Sequence, residues 1–219
     1  MHFSIRHGDK ADSTIILTAL GVDQEGHKEV LALRACAEED KDGWACLLQD
    51  LRSRGVTQID LIVTDGHEGL LAAVANLFSA TPRQRCLVHK QRNVLNAIPR
   101  RERDEVQAEL TGIWEQPTKS EGLTQLAAFK AKYGKRYPEA VRSLAEDEEH
   151  LLTFYAFPAA MHRYIQTTNA IESLGSQCAP THRSDRCLVL WRAVAWPLSG
   201  PPSRISACTN SLCDERESC

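Results

Sequence analysis

The stretch QIDLIVTDGHEGLLAAV, residues 58–74, decides how this chain is read. Leu61, Ile62 and Val63 make a short apolar run of the kind that forms a buried strand. The run ends on Thr64 and Asp65, Gly66 and His67 follow, and a helical pattern begins behind them. Burying a carboxylate is costly unless something pairs it, so Asp65 needs a reason to stand where a strand gives way to a loop. One reason is local: Asp65 caps the helix that follows. The other is chemical: Asp65 belongs to a metal-binding carboxylate set whose other members lie elsewhere in the chain.

Working outward, Leu70, Leu71, Val74, Leu77 and Phe78 share one face of the helix behind the loop. Ahead of it, Trp44, Leu47, Leu48 and Leu51 recur at i, i+3, i+4 and i+7, a second helix that Gly55 can close. Residues 2–7, 13–22 and 28–37 read as three strands, separated by the turn-rich stretches HGDKAD and VDQEGHK, which favours an antiparallel meander. QRCLVH (84–89) reads as another short strand, followed by a helix carrying Val94, Leu95 and Ile98. Three strands followed by alternating helix and strand predict an α/β fold: a mixed sheet with helices packed on it.

From Pro99 to about Ile165 the strand signal vanishes. Val106, Leu110, Ile113 and Trp114 form one helical stripe, and Leu123, Leu126 and Phe129 form another. EEHLLTFYAF reads as a third helix, stopped near Pro158. TTNAIESL (167–174) opens a further helix, with Asn169 as a good N-cap and Glu172 three residues later. After Leu174 no helical or strand period is found. The expected organisation is therefore a core over 1–98, an all-helical insertion over 99–165, a helix completing the core over 166–177, and a divergent, disordered or frameshifted tail over 178–219.

At 219 residues the chain is long enough for a sizeable core, and its 42% hydrophobic and 25% charged content is ordinary for a globular protein. No apolar run approaches membrane-spanning length and no signal-peptide layout opens the chain, so the expected compartment is the cytoplasm, with no membrane partner. The net charge of −3 gives no global argument for nucleic acid, so such a claim must rest on local patches. Five of the eight cysteines fall in the last stretch, and no CxxC pair is present.

ILTALGVDQEGHKEVLALRACAEEDKDGW (16–44), VTDGHEGL (63–70), RQRCLVHKQRN (83–93), KRYPEAV (135–141), LLTFYAFP (151–158) and TTNAIESL together resemble bacterial Mutator-type insertion-sequence transposases. The resemblance runs nearly continuously from residue 2 to 174 in the family's order. It implies a ribonuclease H-like core with a helical insertion before the last acidic residue, in which two aspartates and a glutamate hold two divalent metals, Mg²⁺ or Mn²⁺. By this match Asp65 is the second aspartate and Glu172 the glutamate, both catalytic and both metal ligands. The residues alone leave Glu172 open, because Asn-x-x-Glu at 169–172 also resembles a capping box.

The family's first aspartate matches a position just upstream of MHFSIRHGD. Asp9, Asp12 and Asp23 all fall in expected turns and none matches the motif. The resemblance thus implies a copy truncated at the N-terminus, without its DNA-recognition region, and inactive. The alternative is a non-catalytic remnant that holds DNA or pairs with an intact transposase or with a second copy. Cys86 and His89 match a Cys-x-x-His motif of related transposases; zinc competes there with a buried Cys and a loop His, since no second pair of ligands follows at matching spacing. His67 reads as a phosphate contact or a surface loop residue.

Arg83, Arg85, Lys90, Arg92, Arg100, Arg101 and Arg103 form a basic run opposed only by Glu102. Such a cluster suits DNA phosphates and carries no sequence preference. A solvated helix face is the competing reading. Lys130, Lys132, Lys135 and Arg136 form a weaker second patch. Trp114 could stack a base, but its place in an apolar stripe favours the core.

Overall fold

The computed structural model describes residues 2–7, 10–23, 25–36, 40–169, 187–191 and 206–207, with side chains over 15–23, 25–36 and 40–169. Two compact units emerge: residues 1–81 with 168–219, and residues 82–167. The second begins at Pro82, earlier than the boundary at 99 expected from sequence.

The first unit is a mixed sheet with two helices. Strand β1 (His2–His7) pairs antiparallel with β2 (Lys10–Val22), which pairs antiparallel with β3 (Lys28–Cys36), as the meander reading required. The β2–β3 turn is closed by Asp23, whose Oδ1 accepts from the Glu25 and His27 backbone N–H groups, and by Gly26 at φ 84°. Strand β4 (Leu61–Thr64) is buried at all four residues, as the apolar run predicted.

The stretch expected to lack regular structure contributes two strands, and here the sequence reading is corrected. Strand β6 (Cys187–Trp191) stands between β2 and β4, parallel to β2 and antiparallel to β4, while β7 (Ser206–Ala207) pairs parallel with β3. The order across this unit is β4-β6-β2-β3-β7. The physical reason is legible afterwards: CLVLW is a short continuous apolar run of a length that forms a strand.

Helix α1 (Lys41–Ser53) starts at Asp40, whose side chain accepts from the Gly43 N–H at 2.7 Å, and ends where Gly55 takes φ 102° and the Val56 N–H returns to the Leu51 carbonyl. Its Trp44, Leu47, Leu48 and Leu51 join Leu70, Ala73, Val74 and Phe78 around α2 (Glu68–Leu77) and Leu17, Ala19, Leu31 and Ile62 from the strands in one core. Leu71, expected on that face, is only half-buried.

The second unit is helical apart from the short strand β5 (Arg83–Arg85): α3 (Leu87–Asn96), α4 (Arg103–Trp114), α5 (Lys119–Tyr133), α6 (Pro138–Glu146), α7 (Glu148–Leu151) and α8 (Ala159–Ile165). The strand expected over 84–89 therefore yields to helix at Leu87. The α4 stripe of Val106, Leu110, Ile113 and Trp114 is buried as expected, which places Trp114 in the core. On α5 the buried line is Gly122, Leu126, Phe129 and Tyr133, and Leu123 is exposed. A Thr118–Glu121 capping box opens that helix.

EEHLLTFYAF does not form one helix. It breaks into α7 and a 3-10 turn (Thr153–Ala156) because a side chain takes over the backbone groups that a continuous helix would use. Buried Gln84 donates from Nε2 to the Leu151 carbonyl at 2.9 Å and accepts at Oε1 from the Phe154 N–H at 2.9 Å.

Candidate active-site loop and basic surface

The loop after β4 is built from a few backbone demands. The Gly66 N–H bonds Thr64 Oγ1 at 3.2 Å, and Gly66 takes φ 88°, a left-handed conformation that favours glycine. The Asp65 carboxylate is half-buried and accepts at Oδ1 from the His67 N–H at 3.2 Å. The N-cap of α2 is His67, two residues beyond Asp65. Asp65 therefore holds the loop and is not the cap residue, which weighs against the local explanation for its placement.

Gly69 brings the two helix starts together. A Cβ there would come within 2.9 Å of the Lys41 backbone N and 3.0 Å of the Asp40 carbonyl carbon. Only glycine lets the first turn of α2 lie this close to the first turn of α1. The α2 start, which has no side-chain cap, carries partial positive charge three residues from Asp65. The loop thus presents a carboxylate on a rigid strand end beside a helix start that favours anions.

Glu172 lies outside the described residues. Thr168, four residues before it, is fully buried, and Asn169 is already helical. The expected convergence of Asp65 and Glu172 is therefore carried forward as a proposal.

The basic run divides. Arg85 is 5% exposed and donates from Nε to Asp147 Oδ2 at 2.9 Å; Lys90 is 2% exposed, with Nζ 2.6 Å from the same oxygen and 2.5 Å from the Ser143 carbonyl. Burial alone would raise the Asp147 carboxyl, but the hydrogen bond and charge of Lys90, with the charge of Arg85, outweigh it and hold Asp147 below the usual aspartate range. Arg85 and Lys90 are thus framework cations, which corrects their assignment to a DNA-contacting surface. Arg83 Nη2 lies 2.8 Å from His150 Nε2, and Arg103 Nε donates to the Ile98 carbonyl at 3.0 Å. Arg92, Arg100 and Arg101 remain exposed.

The second patch is largely neutralised. Lys130 pairs with Glu148 at 2.7 Å, Lys132 with Glu105 and Glu109, and Arg136 with Glu102 at 2.7 Å. Sequence reasoning missed Asp147 and Gln84, the residues that organise this unit. Asp147 stands 62 positions from Arg85, and no local spacing announces such a pair.

Cys86 and His89 are both buried, with His89 Nδ1 3.2 Å from Cys86 Sγ at the start of α3. Among the described residues one group of three could hold a metal: Asp23, Glu25 and His27 in the β2–β3 turn. It does not include Cys86 or His89, so the described residues offer that pair no third ligand. No helix among the described residues is long and apolar enough to cross a membrane.

The family model for "Transposase, Mutator family" matches residues 1–188. Similar proteins include the transposase for insertion sequence element IST2 of Acidithiobacillus ferrooxidans, 38% identical over 159 residues covering 72% of this chain and 54% of the relative. The transposase for insertion sequence element ISRM5 of Rhizobium meliloti (strain 1021) is 30% identical over 198 residues, 87% of this chain and 50% of the relative. The transposase for insertion sequence element IS6120 of Mycolicibacterium smegmatis is 38% identical over 158 residues, 72% and 49%. The chain spans about half the length of these curated relatives.

Proposed function

The chain belongs to the Mutator family of transposases, and from that premise we propose that it is the catalytic portion of an insertion-sequence transposase, acting on DNA phosphodiester bonds. The observation that carries the reading is the placement of Asp65 at the end of a fully buried strand, on a loop held by its own carboxylate and by Gly66. Asp65 and Glu172 are the proposed catalytic carboxylates, and the mixed sheet of the first unit is proposed to be ribonuclease H-like. The cytoplasm is the proposed compartment.

Carboxylate oxygens are the ligands that a hard divalent cation prefers, so the donor set fits Mg²⁺ or Mn²⁺. A bound pair of such ions would supply an activated attacking oxygen and stabilise the leaving one. The chain's own part is to hold Asp65 rigidly beside a helix start that favours an incoming phosphate. Arg92, Arg100 and Arg101 are the proposed phosphate contacts, and they carry no sequence information by themselves.

A second reading has its own observation. The strand beside β4 in the first unit is β6, and its residues CLVLW bring no carboxylate level with Asp65. On this reading the 219-residue chain binds DNA, or pairs with an intact transposase, without cutting. The test is supercoiled plasmid incubated with the chain and Mg²⁺ or Mn²⁺, beside a binding titration at two salt concentrations. Salt-sensitive binding without nicking supports the second reading. Nicking that disappears in Asp65→Ala supports the first and shows that a carboxylate other than one on β6 serves. Absence of binding at low salt overturns the first reading and the DNA-binding form of the second.

A further inference from the structure

Helix α8 buries Met161 and Ile165, one turn apart. Arg163 lies midway between them along the helix, which turns it to the opposite side, and it is exposed. Its guanidinium carbon sits 4.4 Å from the centroid of the Tyr164 ring, and its Nη2 donates to the Tyr164 hydroxyl oxygen. The turn that carries this pair is braced. His162 Nε2 lies 2.9 Å from the Phe157 carbonyl, with its ring edge-on to Phe154 at 4.9 Å. Just beyond the helix, the Gln166 carbonyl accepts from the Leu87 N–H at 3.0 Å.

Three other cations lie over aromatic rings among the described residues, and each differs from this one. Lys132 over Tyr133 and Arg136 over Tyr137 both have a glutamate partner. Arg52 stands farther off, 5.9 Å from the buried Phe78 ring. Arg163 is close to its ring and has no carboxylate partner among the described residues. A cation in the last turn of a helix eases that helix's own dipole, but this needs only the charge and no ring.

We propose that Arg163 is a DNA phosphate contact held ready by Tyr164, which acts as a positioning residue. The inference rests on the reading of the chain as the DNA-acting portion of a transposase, and adds a contact to Arg92, Arg100 and Arg101. A guanidinium is planar, and its in-plane N–H groups match the paired oxygens of a phosphate. The Tyr164 ring covers one face of that plane and the hydroxyl fixes one corner, so the plane keeps one orientation. The other N–H groups are left to a ligand. A freely rotating arginine loses its rotamer freedom on binding, whereas Arg163 has lost it already.

The experiment is an anisotropy titration of one labelled duplex at several salt concentrations, without divalent metal, on the 219-residue chain and its variants. Arg163→Gln should make the slope of log affinity against log salt shallower by about 0.9, one phosphate contact on duplex DNA. Tyr164→Leu keeps every charge, so the slope should stay while affinity falls about two- to tenfold, the cost of immobilising one rotamer-rich side chain. Arg163→Lys should behave as Tyr164→Leu does, since an ammonium keeps the charge without the fork. In the Arg163→Gln background, Tyr164→Leu should have no further effect on affinity. A packing defect alone would weaken both backgrounds alike, so this cycle separates positioning from structure. An unchanged slope in Arg163→Gln overturns the proposal, while binding by the unsubstituted chain leaves the transposase reading standing. A Tyr164→Leu loss of equal size in the two backgrounds overturns it as well. No binding by the unsubstituted chain at low salt removes DNA binding itself, and the proposal with it.

Discussion

Lys90 and Asp147 form an ion pair at 2.6 Å inside the helical unit, with the lysine side chain only 2% exposed. Arg85 shares the same carboxylate oxygen, so one anion answers two cations taken out of water. Removing the carboxylate would leave both cations poorly solvated. Asp147→Asn keeps the shape and an acceptor oxygen but deletes the charge, and breaking a buried pair costs about 3–5 kcal/mol. Urea unfolding should show a loss in the lower part of that range, since Asp147 itself is 21% exposed. A change within about 0.5 kcal/mol, the usual scatter of surface substitutions, would show that water already screens the group.

Acid should weaken the same unit in two separate windows. Burial and then the Arg83 charge hold His150 below its ordinary value near 6.5, and the Arg83 guanidinium donates toward the neutral ring's Nε2. The unfolded chain binds the proton more readily, so stability is lost as pH falls through 6.5 towards the lowered folded value. Asp147, also held low, contributes stability above 3.8 that disappears as pH falls through its own folded value. Unfolding midpoints measured between pH 7.5 and 3 should fall in two steps. The upper step should be missing in His150→Gln.

Gly69 offers a sharp contrast with Gly112. At Gly69 a methyl group would press on the backbone of Asp40 and Lys41, which cannot swing aside as a side chain can. Gly69→Ala should destabilise by about 1–3 kcal/mol, the usual cost of overpacking, and should reduce amide protection at the start of α1. Gly112 lies within α4 and has nothing within 4 Å of an added Cβ. Gly112→Ala should stabilise by about 0.5–1 kcal/mol through the helix backbone alone. Equal effects at the two sites would show that α1 and α2 do not approach as described.

How much of this was legible in the sequence depends on the range of the interaction involved. The three-strand meander, the α1 stripe from Trp44 to Leu51 and the buried Leu61–Val63 run are set by periodicity within a few residues, and each appears in the structure. The helix start at Leu87 and the break after Leu151 were not legible. Both lie beside Gln84, whose side chain bonds residues 67 and 70 positions away. Asp65 could be singled out from its strand-end position, but whether it capped α2 depended on where the cap falls, which is His67. The basic run shows the same limit: counting cations could not tell that Asp147 would draw Arg85 and Lys90 inward. Strand β6 failed for a different reason. Its five residues carry an apolar run too short to stand out among the Pro, Ser and Cys around it, and its pairing partners are over a hundred residues away.

That division of the basic run yields the last prediction. Arg92, Arg100 and Arg101 are exposed, Arg101 with Glu102 beside it at 3.2 Å, whereas Arg85 and Lys90 are buried on Asp147 and Lys130, Lys132 and Arg136 are paired with glutamates from other helices or turns. If the exposed arginines meet DNA phosphates, replacing all three by Gln removes three counterion-releasing contacts. The slope of log affinity against log salt should then become shallower by about 2.7, at roughly 0.9 per contact on duplex DNA. The triple variant of Lys130, Lys132 and Arg136 to Gln should change the slope by less than the first triple does, because all three of those cations have a glutamate partner, whereas the salt bridge described in the first set is that of Arg101. Arg85→Gln should lower the unfolding midpoint and leave the slope alone. Filter or anisotropy titrations on one duplex at several salt concentrations separate these outcomes. A slope that responds equally to the two triple variants would mean that DNA reads overall charge rather than the surface formed by Arg92, Arg100 and Arg101. A slope that responds to neither would remove the DNA-contact role from both patches.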